Sequence, residues 1–358
     1  METTGMSEVR TEVAGKAGRI TLDRPRALNA LSLAMIRELK ATLRAWRDDP
    51  RVEVVAIRGM GKEGPFGAFC AGGDIRFFHA AALAGNPELE DFFTEEYTLN
   101  HLVQHYPKPY VSFMDGIVMG GGMGISQGAR CRIVTERTKM AMPETGIGLF
   151  PDVGGGHFLS RCPGRIGEYL ALTGEVIGAA DAVDAGLADL AMPSSELPAL
   201  WERLAGEGAA AVPAPQRAEG SKLADRRPDI DRVFALGSVR EIVAALEADG
   251  SDWARHTAGV LLRKRSPLML HVTLEQVRRA RGMSLADELR MERDLVRHCF
   301  HLRPGASETV EGVRALAIDK DHAPRWSPAR IEDVTAEMVE PFFRSPWPVH
   351  AHPLRGLA

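Results

Sequence analysis

Two carboxylates, Glu144 and Asp152, lie between two glycine triplets, Gly120-Gly121-Gly122 and Gly154-Gly155-Gly156. Each acid directly follows a proline, Pro143 or Pro151, whose rigid ring fixes the local backbone and so where the carboxylate points. A glycine triplet lets the main chain come close to a ligand, because no Cβ stands in the way. A helix starting at such a triplet aims free N–H groups and the positive end of its dipole at that ligand. Donors of this kind stabilise an oxyanion, and a carboxylate nearby serves as base, acid or nucleophile. The stretch from Gly120 to Gly156 therefore reads as an active site that builds negative charge on a substrate oxygen.

A second turn, Ala71-Gly72-Gly73-Asp74, also leads into a predicted helix. One N–H group from each turn, converging on a single carbonyl oxygen, makes an oxyanion hole, and losing one such donor typically costs ~3 kcal/mol of transition-state stabilisation. Taken singly, each feature has a plainer explanation: glycines permit tight turns, and loop acids face solvent or cap helices. The coincidence of two glycine turns with two proline-held acids is what points to chemistry.

The elements that must position these residues alternate in type. Val9 to Val13 and Arg19 to Leu22 read as paired strands about a Gly15–Gly18 turn. Met35, Ile36, Leu39, Leu43 and Trp46 recur at helical spacing over 33–48, with Ser32 as N-cap. Val52 to Arg58, Tyr110 to Met114 and Cys131 to Thr135 read as strands, with helices over 91–104 and beyond the first glycine triplet. This alternation predicts an α/β core. After Pro163 the pattern turns helical, over 166–172, 179–185, 240–248, 253–264, 268–281, 285–301 and 308–318. The Ala-, Gly-, Pro- and charge-rich 205–230 reads as a connector. The expected organisation is a catalytic core over 1–204, the connector over 205–230, and a helical region over 231–358. His350 and His352 fall in a proline-containing tail that reads as a frayed end.

Composition narrows the function classes. The chain has 358 residues, 45% of them hydrophobic, and a net charge of −4. That balance carries no footprint for nucleic acid or an anionic membrane. The clusters Arg263-Lys264-Arg265 and Arg278-Arg279 read as solvated helix faces. Cys70, Cys131, Cys162 and Cys299 are scattered without a CxxC pair, which argues against a disulfide framework and a zinc site, and Cys70 reads as an inert buried thiol. The first ten residues carry Glu2, Glu8 and Arg10 and lack an apolar core, so no leader is expected. No run is long enough to span a bilayer, and the expected location is the cytoplasm. There is no GxxxxGK[ST], and no GxGxxG in the setting a nucleotide fold requires.

Five segments resemble the crotonase (enoyl-CoA hydratase/isomerase) superfamily, and within it the 3-hydroxyisobutyryl-CoA hydrolase branch. They are FCAGGDIR (Phe69 to Arg76), FFTEEYTLN (Phe92 to Asn100), KPYVSFMDGIVMGGGMGIS (Lys108 to Ser126), AMPETGIGLFPDVGGGHFLSR (Ala141 to Arg161) and EGVRALAIDKDHAPRWSPA (Glu311 to Ala329). The resemblance implies a crotonase-like ββα spiral core with a C-terminal helical region. It implies that Gly73 and Gly121 are the oxyanion-hole donors to a thioester carbonyl, with Gly72 and Asp74 beside the substrate. Glu144 matches the family's catalytic glutamate, Asp152 the second acid of the hydrolase branch, and Glu96 a further acid lining the substrate pocket. The substrate so implied is a short-chain 3-hydroxyacyl-CoA, as in valine breakdown. No metal or separate cofactor is implied, since CoA belongs to the substrate, and members usually assemble as homo-trimers or hexamers.

Two departures from the family's patterns bear on the reaction. Hydratases of this superfamily carry a second glutamate shortly after the first glycine triplet, where this chain has Gly124. The two-glutamate scheme for adding water to a double bond is thus incomplete, which favours thioester hydrolysis. The hydrolase pattern has an aromatic residue before the glutamate of EGVRA, where this chain has Glu308-Thr309-Val310, so the acyl group is left open. The alternatives are an enoyl-CoA hydratase or isomerase with Glu144 as lone acid/base, and a non-catalytic CoA-ester binder. A binder has no need of both acids.

Overall fold

A computed structural model describes residues 7–358; Glu2, which counted against a leader, lies outside them. The chain divides into two units, each assembled from three separate stretches. The first comprises residues 1–73, 99–140 and 177–221, and the second 74–98, 141–176 and 222–358. The divisions expected from sequence, at 204 and 230, follow composition along the chain, whereas these units follow packing.

The first unit is built on a sheet. Strands β1 (Val9–Ala14) and β2 (Ala17–Leu22) form an antiparallel hairpin in which Val9 faces Leu22. Gly15, at φ 56°, makes the turn between them. Next in sequence come β3 (Val54–Gly61), β4 (Gly64–Pro65), β5 (Tyr110–Met114), β6 (Ile117–Met119), β7 (Cys131–Val134), β8 (Lys139–Ala141) and β9 (Leu190–Ala191). The main sheet runs β1-β2-β3-β5-β7-β9, with β4 hairpinned onto β3, and β6 pairs with β8 in a small second sheet. From β2 to β9 the neighbours are parallel. Parallel strands are covered on both faces, and all five residues of β5 are buried accordingly.

Ala17, Val54, Ala56, Val111, Phe113, Ile133 and Leu190 form one core with Leu197, Leu200, Trp201 and Leu204 of the helix Leu197–Glu207. The Phe113 and Trp201 rings meet edge to face at 5.4 Å, a favoured aromatic arrangement. The helix Leu33–Arg47 buries the five apolar residues its spacing predicts, and the Ser32 hydroxyl accepts the Met35 N–H at 3.2 Å.

The second unit is helical. Serines cap its helices at Ser238, Ser251, Ser266, Ser284 and Ser307, each accepting a main-chain N–H three residues on. Phe78, Phe92 and Phe93 cluster with Phe300, which brings the helices Ile75–Ala84 and Glu88–Gln104 against Leu285–His301.

Four expectations need correction. The helix over 253–264 is a short helix Asp252–His256, a π-type turn Thr257–Leu261 and a 3₁₀ turn Leu262–Lys264; Gly259 and the β-branched Thr257 and Val260 weaken a regular helix there. The helix over 308–318 ends at Val313 and widens into a π-type turn, Arg314–Ile318. Arg265 is no solvated charge, for its Nε donates to the Thr173 carbonyl at 3.0 Å. His352 is not frayed: it is buried, its Nδ1 accepts the Leu354 N–H at 3.0 Å, and its Nε2 lies 3.2 Å from Asp294.

Within the connector the structure has a 3₁₀ turn, Gly208–Ala211, and the helix Lys222–Phe234 begins before its end. All four cysteines are buried and none is in a disulfide among the described residues. Among the described residues no helix is long and apolar enough to cross a membrane.

Candidate active site

In the first unit the two glycine turns adjoin. Cys70 N–H donates to the Ile117 carbonyl at 2.9 Å and Met119 N–H to the Cys70 carbonyl at 3.0 Å, lacing the segment before Gly72 to β6. Gly72 has φ 108°, and a Cβ there would lie 3.6 Å from the Gly121 nitrogen. Gly120 has φ 47° and ψ −121°, a combination that suits glycine alone. A Cβ on Gly122 would stand 2.4 Å from the Cys70 carbonyl oxygen, so close approach of the two strands of main chain demands glycine at that position too.

Gly121 is the first residue of the helix Gly121–Gln127, so its amide has no acceptor within the helix. Among the described residues, neither the Gly73 nor the Gly121 N–H has a main-chain acceptor elsewhere. Gly72 is itself fixed by its carbonyl, which accepts the Leu31 N–H at 2.8 Å. Two unspent donors on adjoining, glycine-only turns are what an oxyanion hole requires.

The acids gather in the second unit. Glu144 opens the 3₁₀ turn Glu144–Ile147, which Gly148 closes in the left-handed conformation. Asp152 lies in the turn before the helix Gly155–Leu159, and Glu96 on the helix Glu88–Gln104. The three are only 6%, 5% and 2% exposed. Burial, followed by the charge of Asp152, holds both Glu144 and Glu96 well above the usual carboxylate range. Burial and then Glu292 push Asp152 up to about 7, opposed by a hydrogen bond in which Tyr97 O–H donates to Asp152 Oδ2 at 2.9 Å. One Glu144 oxygen and one Glu96 oxygen have no partner among the described residues. Buried, unpartnered carboxyl oxygens are held ready for something that enters from outside.

The turns are fixed locally. Thr145 Oγ1 donates to the Leu172 carbonyl at 3.2 Å, and Ser266 N–H donates to the Thr145 carbonyl at 3.0 Å. A Cβ on Gly146 would stand 2.5 Å from Arg265 Nη1, which places that guanidinium beside the Glu144 turn, where its charge favours the ionised acid. Asp74 caps the helix Ile75–Ala84, accepting the Phe77 N–H at 3.4 Å.

Of the residues expected from sequence, then, Glu96, Glu144 and Asp152 lie together in one unit, and Gly72, Gly73 and Gly121 together in the other. Sequence reasoning missed Tyr97, Arg265, Gln276, Glu288 and Glu292. Glu288 and Glu292 are fully buried on the helix Leu285–His301, on the face that carries Leu289, Leu295, Val296 and Cys299. Acids spaced four apart among those apolar positions were the readable signal. A cavity of about 610 Å³ lies elsewhere in the second unit, lined by Val239, His271, Leu274 and Phe343, and none of the acids above borders it. Among the described residues, no group of three or more His, Cys, Asp or Glu side chains is arranged to hold a metal ion.

Known proteins share both sequence and fold. Residues 17–343 match the family model described as Enoyl-CoA hydratase/isomerase. A Danio rerio protein named 3-hydroxyisobutyryl-CoA hydrolase, mitochondrial, is 42% identical over 363 residues, spanning 96% of this chain and 91% of that one. The crystal structure of an enoyl-CoA hydratase from Rhodobacter sphaeroides 2.4.1 superposes with a TM-score of 0.88 at 42% identity, over 95% of this chain and 98% of that one. That of a carnitinyl-CoA dehydratase from Mycobacterium thermoresistibile gives 0.87 at 38% identity, over 95% and 97%. With its parallel sheet, adjoining glycine turns and C-terminal helices, the chain belongs to the enoyl-CoA hydratase/isomerase family and has the crotonase fold.

Proposed function

We propose that the chain hydrolyses the thioester of a short-chain 3-hydroxyacyl-CoA, 3-hydroxyisobutyryl-CoA, to the free acid and CoA. The observation that carries this reading is the buried company of Asp152. A second acid tied to a tyrosine and titrating near neutrality beside Glu144 suits proton transfer in hydrolysis. The name of the Danio rerio relative supports the same substrate.

The roles follow from charge. The Gly73 and Gly121 amides take the oxyanion. Glu144 is held neutral at rest and Asp152 is partly ionised, with Tyr97 favouring the ionised form. Glu144 passes its proton to Asp152, directly or over a water. The freed carboxylate then attacks the thioester carbon, or deprotonates a water that does so. As the carbon–sulfur bond breaks, Asp152 returns the proton to the departing thiolate. In the anhydride route the one water consumed, deprotonated by Asp152, splits the acyl group from Glu144, and Asp152 passes that proton back to the Glu144 carboxylate. The sum is thioester plus water giving acid plus thiol. No electrons change hands, so the chemistry calls for no redox cofactor, and CoA enters and leaves with the substrate. Glu96 lines the substrate site, with Gly72 and Asp74 beside it.

The assembly is a homo-oligomer, a trimer or hexamer, which sedimentation equilibrium measures. The compartment is the cytoplasm; the Danio rerio relative is named as mitochondrial, and cell fractionation decides for this chain.

The deciding experiment offers 3-hydroxyisobutyryl-CoA and crotonyl-CoA side by side, following free thiol in one and the enoyl absorbance in the other. Thiol release that disappears in Glu144→Gln, with an unchanged circular dichroism spectrum, is the expected result. Loss of the enoyl absorbance without thiol release makes the chain a hydratase instead.

A further inference from the structure

The turn that carries Asp152 is strained. Val153, a β-branched residue, has φ 57°, and Gly154 follows at φ 87°. Branched side chains rarely adopt that backbone, and it persists only where the surroundings over-determine it.

What determines it here is a carboxylate from far along the chain. Glu292 Oε2 accepts the Gly154 N–H at 2.8 Å, and Oε1 accepts the Gly156 N–H at 3.2 Å. Gln276 Nε2 links the same Oε1, at 3.0 Å, to the Pro151 carbonyl, at 2.7 Å. The Gly154, Gly156 and Gln276 N–H groups all donate to Glu292, and the two main-chain bonds favour its anion against the burial that opposes it.

Glu288, one helical turn earlier, is its counterpart. Among the described residues neither Glu288 oxygen meets an N–H or O–H in hydrogen-bonding geometry, yet the carboxyl lies against Glu292 and the Gln276 amide. Two touching carboxyls in a fully buried place cannot both be charged. One proton held between them converts their repulsion into an O–H···O bond. A Cβ on Gly156 would stand 2.3 Å from Glu288 Oε1, so the last glycine of the second triplet is what admits the pair beneath the turn.

We infer that Glu292 and Glu288 are a positioning pair, sharing one proton, that holds the Pro151–Gly156 turn and so sets Asp152 for the hydrolysis proposed above, on which reading this inference rests. Neither touches the reacting atoms. The pair faces the carboxyls of Asp152, Glu96 and Glu144 and the phenol of Tyr97, while the Arg161 guanidinium acts on Glu288. Burial pushes the Glu288 carboxyl up to about 7 and, with the Glu288 charge next, holds Glu292 well above the usual carboxylate range. Past neutrality the pair therefore keeps a single proton, which joins the two carboxyls beneath the turn.

Two variants of the full chain test this. Glu292→Asp keeps the charge but withdraws it by one methylene from Gly154 and Gly156. Its kcat should fall ~10-fold or more, the worth of one lost charge-assisted bond, with KM within about twofold. Glu288→Gln replaces the shared proton with a permanent N–H donor. It should lower kcat by less than Glu292→Asp does, because the amide still donates to Glu292 while the main-chain bonds of the turn stay in place. Infrared difference spectra read the proton without turnover: at mildly alkaline pH, a protonated-carboxyl band of the parent should be missing from Glu288→Gln, whose amide donor leaves Glu292 ionised. Wild-type kcat in Glu292→Asp, a larger loss in Glu288→Gln than in Glu292→Asp, or an unchanged infrared band each overturns the inference. Should the parent release no thiol, the hydrolase reading fails by itself, and the infrared band still decides the shared proton.

Discussion

Replacing Tyr97 with phenylalanine removes one oxygen and leaves the ring that packs against Phe93. The lost bond is the 2.9 Å donation to Asp152 Oδ2. A hydrogen bond to a charged group contributes about 1.5–3 kcal/mol, and one pKa unit corresponds to about 1.4 kcal/mol. The bond favours the ionised acid, so its removal raises the Asp152 pKa by about one to two units from its value of about 7. At neutral pH the ionised share then drops from about a half to between a tenth and a hundredth. Because only ionised Asp152 can receive the Glu144 proton, kcat/KM at that pH should fall about 5- to 50-fold and recover as the medium is made alkaline. The assay is thiol release across pH with 3-hydroxyisobutyryl-CoA. A loss of the same size at every pH, or an acid limb that stays where it was, refutes the assignment of Asp152 as the proton carrier.

Asp152→Asn should trade activity for stability. A folded-state pKa raised from 3.8 to about 7 means that, between those values, the unfolded chain gives up a proton the folded chain keeps. Folding is therefore favoured less as pH climbs through that window, by up to roughly 4 kcal/mol once it is passed. The asparagine variant carries no such charge, so its thermal midpoint should exceed the parent's at mildly alkaline pH, match it in acid, and accompany a loss of hydrolysis. A midpoint no higher than the parent's at alkaline pH contradicts the burial cost. Gly122→Ala should force the Cys70 carbonyl away from a Cβ otherwise 2.4 Å distant, costing roughly 1–3 kcal/mol in denaturant unfolding. Unchanged stability would show that the two glycine turns do not press together.

Much of the candidate site could be proposed from sequence because its residues sit in punctuated stretches. Proline before Glu144 and Asp152, and glycine after them, mark turns whose geometry local chemistry sets. The strand Tyr110–Met114 and the helix Leu285–His301 were readable to the residue for a similar reason, since periodicity and a serine cap define them. Glu288 and Glu292 escaped because helical spacing assigns acids to water, and only the packed structure reveals which face they join. Arg265 escaped for the same reason within a basic cluster, and His352 because a proline-containing tail gives no sign of docking. The interleaving of the two units was equally hidden, since contacts between distant segments leave no local signature.

That interleaving gives the enzyme a sense of completeness. Glu144 and Asp152 emerge during synthesis long before Glu292, whose carboxylate anchors the turn between Pro151 and Gly156. Domains fold as units while the chain is made, and the second unit draws on residues out to 358. A nascent or prematurely ended chain thus carries both acids proposed to react without the means to bury or hold them, and on that proposal thioester cleavage waits until translation has nearly finished.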